Sequence, residues 1–314
     1  MIEVEGLRKT YGDFVAVDGI DFRANSGQIF GLLGPNGAGK STTISCISGL
    51  LKPTAGHVRV LGHDVVSEPV PARTALGVVP QELALYEDLP AADNLRFWGA
   101  AYGLSGQALD ERVGHVLGYI GLGDRARDLP SKFSGGMKRR LNFGCGIVHA
   151  PKVLLLDEPT VGVDPQSRER LFEMVEEQRD AGACVLYTTH YMEEAERLCD
   201  ELAIIDHGKL IAGGSLDELR RSVGERDVLK LTGHFPEGAA AAAASELRAQ
   251  GMADLELLHE EEDSITLVLS GGSAHLPTIF SVLAGRGAVI SETSLRQPSL
   301  ETLFIKLTGT ELRS

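Results

Sequence analysis

A glycine-rich segment near residue 40 has the residue types that bind phosphate groups. The run Gly34-Pro35-Asn36-Gly37-Ala38-Gly39-Lys40-Ser41 follows an apolar strand and precedes a predicted helix. Glycines let successive backbone N–H groups approach phosphate oxygens, and the N-terminus of the next helix attracts negative charge. Lys40 is expected to reach the β- and γ-phosphates of a nucleotide, and the Ser41 hydroxyl is expected to reach Mg²⁺. The predicted nucleotide-binding positions here are Gly34, Asn36, Gly37, Gly39, Lys40, Ser41 and Thr42. A glycine-rich turn with an incidental lysine is the alternative, and the flanking strand and helix argue against it.

Two acidic residues supply the second part of a nucleotide site. Asp157 and Glu158 directly follow the apolar run Val153–Leu156. A buried strand that ends in acids places carboxylates at the carboxyl edge of the sheet, where α/β proteins bind ligands. Asp157 is then expected to hold Mg²⁺, and Glu158 to polarise the attacking water. Taken alone, the pair could equally be a solvated strand end; together with the glycine-rich run it predicts phosphate chemistry.

The elements that position these residues alternate between strand and helix. Short apolar runs separated by helical stretches predict parallel strands buried on both faces of an α/β sheet: Gln28–Leu33, Val153–Leu156, Cys184–Thr188 and Leu202–Ile205. Three short strands come first, Ile2–Glu5, Phe14–Val17 and Ile20–Phe22, with predicted turns at Gly12-Asp13 and Asp18-Gly19. A helical insertion is predicted between two strands, at about residues 88–145. Asp164 and Pro165 are typical of a helix start.

A change of pattern near residue 220 predicts two domains, residues 1–220 and residues 221–314. The second domain follows a βαββαβ order, which indicates a small ferredoxin-like α+β fold. Its predicted elements are Val228–Leu231, Ala240–Gln250, Leu255–His259, Ile265–Leu269, Leu276–Ala284 and Ala288–Ser294.

Composition narrows the function classes. The formal net charge of −14 argues against nucleic acid as a partner, because such proteins rely on basic surfaces. The four cysteines have no metal-site spacing and are expected to be reduced thiols. No secretory signal and no apolar window long enough for a membrane helix is expected, so that any link to a membrane is predicted to come through a partner.

Five further motifs, in order along residues 1–215, resemble one family, the ATP-binding subunits of ATP-binding cassette (ABC) transporters. Phe133-Ser134-Gly135-Gly136-Met137 is similar to the family's signature motif, and Val161–Asp164 to its D-loop. Tyr11 matches the adenine-stacking aromatic, Gln81 the Q-loop glutamine and His190 the switch histidine. Met137 and Val163 differ from the commonest family residues. Each single residue has a plain alternative: a strand aromatic, a loop amide or a core histidine.

The resemblance implies a P-loop NTPase cassette with a mixed sheet, an antiparallel β subdomain and a helical insertion. The small C-terminal α+β domain predicted above from its own pattern follows this cassette. The resemblance implies an ATPase with ATP and Mg²⁺ as cofactors. The implied catalytic residues are Glu158, His190, Gln81 and Lys40, and the implied metal ligands are Ser41, Gln81 and Asp157.

It further implies a head-to-tail homodimer in which Ser134, Gly136 and Asp164 contact the nucleotide of the other subunit. The alternative for Ser134 is a simple cap on an exposed helix, with Lys138, Arg139 and Arg140 as a solvated basic face.

The resemblance also implies a separate membrane permease, with the chain peripheral on the cytoplasmic face of the cell membrane. Permease contacts are predicted at Glu82–Tyr86, Leu95 and Phe97, the alternative for Leu95 and Phe97 being core packing. The segment Pro298–Gly309 is similar to the tail of daunorubicin-resistance export ATPases, which favours export of a drug, lipid or polysaccharide. Two other classes stay open: a soluble regulatory ATPase without a permease, and a non-catalytic nucleotide-binding module, against which Glu158 and His190 argue.

Overall fold

The computed structural model describes residues 1–223, 226–261, 263–296 and 300–308. The chain divides between Gly214 and Ser215 into two compact parts, called here the first unit and the second unit. The division falls before the helix Leu216–Val223, whereas the predicted boundary at residue 220 would cut through it. The reason is tertiary, because this helix packs against the terminal helix Leu300–Thr308 of the second unit. Pro298, Ser299 and Gly309 of the predicted tail motif lie outside the described residues.

The first unit contains ten strands and seven α-helices within the described residues. The strands are β1 (Ile2–Tyr11), β2 (Phe14–Ala24), β3 (Gln28–Leu33), β4 (Ala55–Val60), β5 (His63–Asp64), β6 (Leu76–Val79), β7 (Val153–Asp157), β8 (Cys184–Thr189), β9 (Glu201–Asp206) and β10 (Lys209–Ser215), the last residue of which begins the second unit. The helices are α1 (Lys40–Ile47), α2 (Pro69–Thr74), α3 (Ala91–Ala101), α4 (Gly106–Tyr119), α5 (Gly135–Ile147), α6 (Pro165–Asp180) and α7 (Met192–Leu198).

Four of these strands form an antiparallel sheet in the order β2-β1-β4-β5. The predicted turn at Asp18-Gly19 is wrong, because β2 runs through it without a break. Leu7 pairs with Ile20 while Arg8 pairs with Asp18, so that Gly19 is an extra residue in a β-bulge with a φ of 71°. A glycine inside a strand pattern can mark either a turn or a bulge, and here the pairing with β1 decides.

The other six strands form the central sheet, in the order β10-β9-β3-β8-β7-β6. The pairs from β9 to β6 are parallel, and β7 and β8 are buried along their whole length. Their carboxyl ends are in register, since Asp157 pairs with Thr188 and Leu33 with Thr189. This edge therefore brings together the glycine-rich run, the two acids and His190.

The insertion between β6 and β7 consists of α3, α4 and α5, close to the predicted span of 88–145. The main core joins the antiparallel sheet, α1 and the central sheet through side chains such as Val4, Ile44, Leu155 and Leu186. The predicted fold class, an α/β cassette with an antiparallel subdomain, a helical insertion and a small α+β second part, is confirmed.

The second unit starts with α8 (Leu216–Val223) and ends with α11 (Leu300–Thr308) in the described residues. Between them lie β11 (Asp227–His234), α9 (Ala239–Ala249), β12 (Glu256–Glu260), β13 (Ser264–Leu269), α10 (Gly272–Ala284) and β14 (Val289–Arg296). The strands form an antiparallel sheet in the order β12-β13-β11-β14. Side chains of α9, α10 and one face of this sheet share an apolar core of their own.

Candidate active site

The glycine-rich run forms the connection between β3 and α1, and two of its glycines are required sterically. A Cβ atom on Gly34 would collide with the carbonyl oxygen of Ile205. Gly39 has a φ of 110°, and a Cβ there would lie 2.5 Å from the carbonyl oxygen of Ala16. Gly39 also precedes α1 without any side-chain cap. The first N–H groups of α1 are thus available to an anion at the loop.

A cleft of about 400 Å³ lies against this loop. Its lining includes nine of the residues predicted from the sequence: Tyr11, Asn36, Gly37, Gly39, Lys40, Ser41, Thr42, Gln81 and Glu158. Phe14 and Ala16 line it as well and were not predicted. Gly34, Asp157, His190 and the residues predicted to act on the other subunit do not line it.

Tyr11 and Phe14 stand opposite each other at the hairpin between β1 and β2, where they pair across Gly12 and Asp13. Tyr11 is 45% exposed and Phe14 is 64% exposed. The Lys9 ammonium lies 5.1 Å from the centre of the Tyr11 ring. Both rings can therefore offer a face to a planar base. The sequence contained a signal that could have identified Phe14 as a cleft residue: Tyr11 and Phe14 are aromatic and flank the predicted turn at Gly12-Asp13.

Lys40 is almost completely buried at the start of α1. Its ammonium donates hydrogen bonds to the carbonyl oxygens of Gly34 (2.7 Å) and Pro35 (2.9 Å). It also lies 2.9 Å from Glu158 Oε1, in an ion pair whose two side chains are each 4% exposed. A buried cation of this kind needs several anionic or carbonyl partners, and phosphate oxygens are chemically equivalent ones.

Glu158 is the point where the four predicted catalytic residues meet. Oε1 contacts Lys40, while Oε2 accepts hydrogen bonds from Gln81 Nε2 at 3.4 Å and His190 Nδ1 at 3.1 Å. The backbone of Glu158 has a φ of 44°, a left-handed conformation that costs a non-glycine residue of order 1–3 kcal/mol. Its N–H donates to the hydroxyl and the carbonyl oxygen of Thr188, which hold it in this conformation.

His190 is 10% exposed and lies against the ring of Tyr191, with ring centres 4.0 Å apart. It is thus packed as a core histidine would be and at the same time contacts the site carboxylate. The segment around it is anchored by Glu194, which was not predicted. The buried Glu194 carboxylate accepts hydrogen bonds from the hydroxyls of Thr160 (2.6 Å), Tyr187 (3.0 Å) and Thr189 (2.8 Å).

The residues predicted to hold Mg²⁺ suit a hard cation by chemistry and by place. Ser41 and Gln81 line the cleft, and Asp157 ends β7 directly before Glu158. One oxygen of the Asp157 carboxylate accepts a hydrogen bond of 2.7 Å from the Thr188 hydroxyl, which orients the group. Hydroxyl, amide and carboxylate oxygens are the ligands that Mg²⁺ prefers.

The residues predicted to act on a second subunit form a separate cluster. Ser134 is exposed and caps α5, its hydroxyl accepting from the N–H of Met137 at 3.3 Å. Asp164 caps α6 by accepting from the N–H of Ser167 at 2.9 Å, and this backbone hydrogen bond keeps the pKa of Asp164 below its usual value. A Cβ on Gly136 would collide with the Ser167 hydroxyl and lie 3.2 Å from Asp164 Oδ2, so that glycine is needed here for packing as well.

The alternative of a solvated basic face on α5 is wrong. Lys138 pairs with Glu87 at 2.6 Å. Arg139 and Arg140 are half-buried, donate to backbone carbonyl groups, and burial lowers the pKa of both.

The predicted permease contacts divide between core and surface. Leu95 is fully buried in the insertion, so its prediction as a contact residue is wrong and the core alternative holds. Phe97 and Tyr86 are each 45% exposed, and their ring centres lie 4.8 Å apart. Leu83 is 38% exposed. These three residues, Leu83, Tyr86 and Phe97, are called the coupling surface below.

Comparison with known proteins gives the family. A family model described as "ABC transporter" matches residues 17–161. The linearmycin resistance ATP-binding protein LnrL of Bacillus subtilis is 42% identical over 316 residues, covering 100% of both chains. The daunorubicin/doxorubicin resistance ATP-binding protein DrrA of Streptomyces peucetius is 39% identical, over 98% of this chain and 92% of that protein. The Nod factor export ATP-binding protein I of Cupriavidus metallidurans is 37% identical over 100% of this chain and 99% of its own length.

Solved structures of ABC transporter subunits are similar to this chain. One described as an ATP-binding subunit of an ABC transporter superposes with a TM-score of 0.66 and 35% identity, covering 71% of this chain and 93% of that one. A dimeric structure of MJ0796, a bacterial ABC transporter cassette, has a TM-score of 0.63 and 25% identity, covering 69% and 99%.

The fold and the phosphate-facing cleft define an ATP-binding cassette. The chain belongs to the ABC transporter family, as an ATP-binding and ATP-hydrolysing subunit. Among the helices of the described residues, none combines the length and the apolar composition that crossing a bilayer requires.

Proposed function

We propose that two copies of this chain form a homodimer with two composite ATP sites, which drives export through a separate permease at the cytoplasmic face of the membrane. The observation that carries the proposal is the separation of the predicted site residues into two clusters. One cluster surrounds the cleft at Glu158, and the other lies at the exposed start of α5.

The cleft supplies the part of the site that belongs to the chain's own nucleotide. Tyr11 stacks on the base, the loop N–H groups and Lys40 bind the phosphates, and Glu158 orients the attacking water. Gln81 and His190 hold the Glu158 carboxylate from its Oε2 side. A carboxylate held by two side chains on one oxygen keeps a fixed orientation toward water.

Mg²⁺ would be held by Ser41, Gln81 and Asp157, and it would neutralise charge on the phosphate oxygens. The donor set and its place at the sheet edge support this assignment.

The start of α5 supplies the part that closes a partner's site. Ser134 and Gly135 are exposed at the start of the helix, and the buried Gly136 follows them. A helix N-terminus with glycines binds anions through its N–H groups. Asp164 lies beside Gly136. Since the chain's own phosphates are already bound by the glycine-rich loop, the second anion site has a use when it caps the nucleotide of another subunit. The dimeric form of a related cassette supports this arrangement.

Export is supported by the relatives that match the whole chain, whose names specify resistance to linearmycin or daunorubicin, or export of Nod factor. We therefore propose that the cargo is a drug, a lipid or a polysaccharide. The permease would contact the coupling surface, where exposed apolar groups cluster. Phe97 packs edge-on against Trp98, which lines an adjoining apolar pocket of about 250 Å³. An exposed aromatic surface of this kind suits a short helix from a membrane protein.

Mixing two inactive variants tests the composite site. Ser134→Arg should block the partner's site and leave the chain's own cleft intact, while Lys40→Ala should weaken phosphate binding in its own cleft. A heterodimer of the two variants has one intact site, built from the cleft of the first and the α5 start of the second. Mixing should therefore restore part of the parental ATPase rate, although each variant alone is inactive. No recovery on mixing would refute the proposal, and so would a monomeric ATP-bound chain that turns over at the parental rate.

A further inference from the structure

Helix α5 is tied to the segment that carries Gln81 by several polar contacts. Lys138 pairs with Glu87 at 2.6 Å. The buried Asn142 side chain accepts from the N–H of Ala84 at 3.0 Å and donates to the carbonyl oxygen of Pro80 at 3.3 Å. Three polar contacts thus connect α5 to the segment 80–87.

Arg139 adds a contact of a different kind, because it also reaches the segment that follows the catalytic acid. Its guanidinium donates to the carbonyl oxygen of Gln81 through one nitrogen and to that of Val161, at 3.1 Å, through the other. The N–H of Val161 in turn donates to the carbonyl oxygen of Glu158 at 3.3 Å. Arg139 therefore joins the two backbone segments whose side chains, Gln81 and Glu158, contact each other in the site.

We propose that Arg139 is a positioning residue for ATP hydrolysis: its guanidinium holds the Gln81 segment and the Glu158–Val161 segment in alignment with helix α5. The inference rests on the proposed function, since α5 is the helix whose start caps the partner's nucleotide. Because Arg139 connects α5 to both segments, a shift of that helix would also shift the Glu158 carboxylate in the chain's own cleft. Hydrolysis would then require α5 to be in place, while nucleotide binding would not.

The chemistry of arginine explains why this residue type suits the position. A planar guanidinium donates in two directions at once and stays charged when half-buried, whereas a lysine ammonium is a compact point donor on a flexible stem. A lysine at this position could reach one of the two carbonyl groups but would not fix the distance between them.

Arg140 provides a matched control on the same helix. It is also half-buried and also donates to a backbone carbonyl group, that of Ile120 at 2.8 Å. Ile120 belongs to the helical insertion and lies in no segment that contacts Glu158. Loss of Arg140 should therefore affect packing without affecting the alignment of Gln81 and Glu158.

The experiment compares Arg139→Met with Arg140→Met in the full-length chain. Three quantities are measured for each: kcat for ATP hydrolysis, the affinity for a fluorescent ATP analogue, and the midpoint of thermal unfolding. Because Arg139 does not line the cleft, Arg139→Met should retain the affinity. Misalignment of the reacting groups should lower kcat by roughly 10- to 100-fold. Arg140→Met should keep a kcat close to that of the parent, even if its midpoint of thermal unfolding falls as far as that of Arg139→Met. Arg139→Lys should give a kcat between those of Arg139→Met and the parent. If Arg139→Met does not fold, Arg139→Lys is compared with Arg140→Lys instead.

Equal kcat values for the Arg139 and Arg140 variants would overturn the inference, as would a loss of affinity that matches the loss of kcat. Failure of the proposed function has a different signature. In that case the mixture of Ser134→Arg and Lys40→Ala chains recovers no activity, whatever the Arg139 variants do.

Discussion

The first and the second unit differ most in what they bury. The first unit buries four charged side chains, Lys40, Asp157, Glu158 and Glu194, and the structure gives hydrogen-bond or ion-pair partners for each. In the described part of the second unit, the buried polar side chains are Ser264 and Thr266, and the core consists of leucine, isoleucine, alanine and single larger apolar residues.

The difference between the units follows from the free-energy cost of burying a charged side chain. A charge removed from water destabilises the fold unless it is paired, so a protein keeps buried charges where a reaction or the anchoring of a site uses them. The second unit shows the usual solution for a small α+β core. We therefore expect that changes in the first unit alter hydrolysis, and that changes in the second unit alter it little.

The largest effect is expected for Glu158→Gln. The amide cannot act as a base toward water, so hydrolysis should fall by about 10²- to 10⁴-fold. ATP affinity should persist, because Lys40 and the loop N–H groups are unchanged. Hydrolysis rate and equilibrium binding of ATP are measured in parallel. Glu193→Gln, an exposed acid near the start of α7, is the control and should hydrolyse at the parental rate. A Glu158→Gln chain that did the same would remove Glu158 from the role proposed for it.

An effect on transport alone is expected for Tyr86→Asp. A carboxylate on the coupling surface should oppose docking of an apolar helix, so that export falls several-fold while basal ATPase activity is retained. Export of a resistance compound from cells that contain the permease is compared with the ATPase rate of the purified chain. Val289→Asp is the matched control, since Val289 is 65% exposed but lies in the second unit. If Tyr86→Asp lowers both activities equally, Tyr86 is part of the cassette packing and not an interface.

The smallest effect on the site is expected from ending the chain after Gly214. The cleft lies wholly within the first unit, so the affinity for ATP should stay within about twofold of the parent, as for independent sites. A chain that ends after Val223 is the comparison. It keeps α8 but lacks α11, which packs against α8 in the full chain. Leu219 of α8, which is 3% exposed in the full chain, should then be more exposed, so this chain should be the less soluble of the two. If the chain ending after Gly214 does not fold or bind ATP, the two units are not independent.

Much of the first unit could be predicted because its signals are local. A glycine-rich run between a strand and a helix predicts a phosphate loop, and an apolar strand before two acids predicts a sheet edge. The bulge at Gly19 was missed because a local pattern does not reveal which partner strand compensates for the extra residue. Leu95 and Phe97 illustrate a similar limit, since neighbouring apolar positions of one helix differ only in which side the rest of the insertion covers.

The sequence by itself determined the class of chemistry: the residue types and the order of the motifs around Lys40, Asp157 and Glu158 are sufficient to predict ATP binding and hydrolysis. Only the tertiary structure decided how these residues act on one another. Lys40, Gln81 and His190 meet at Glu158 because parallel strands end at one edge, and Arg139 joins two carbonyl groups far apart in the chain. Such contacts depend on distances across the fold, which no spacing along the chain encodes.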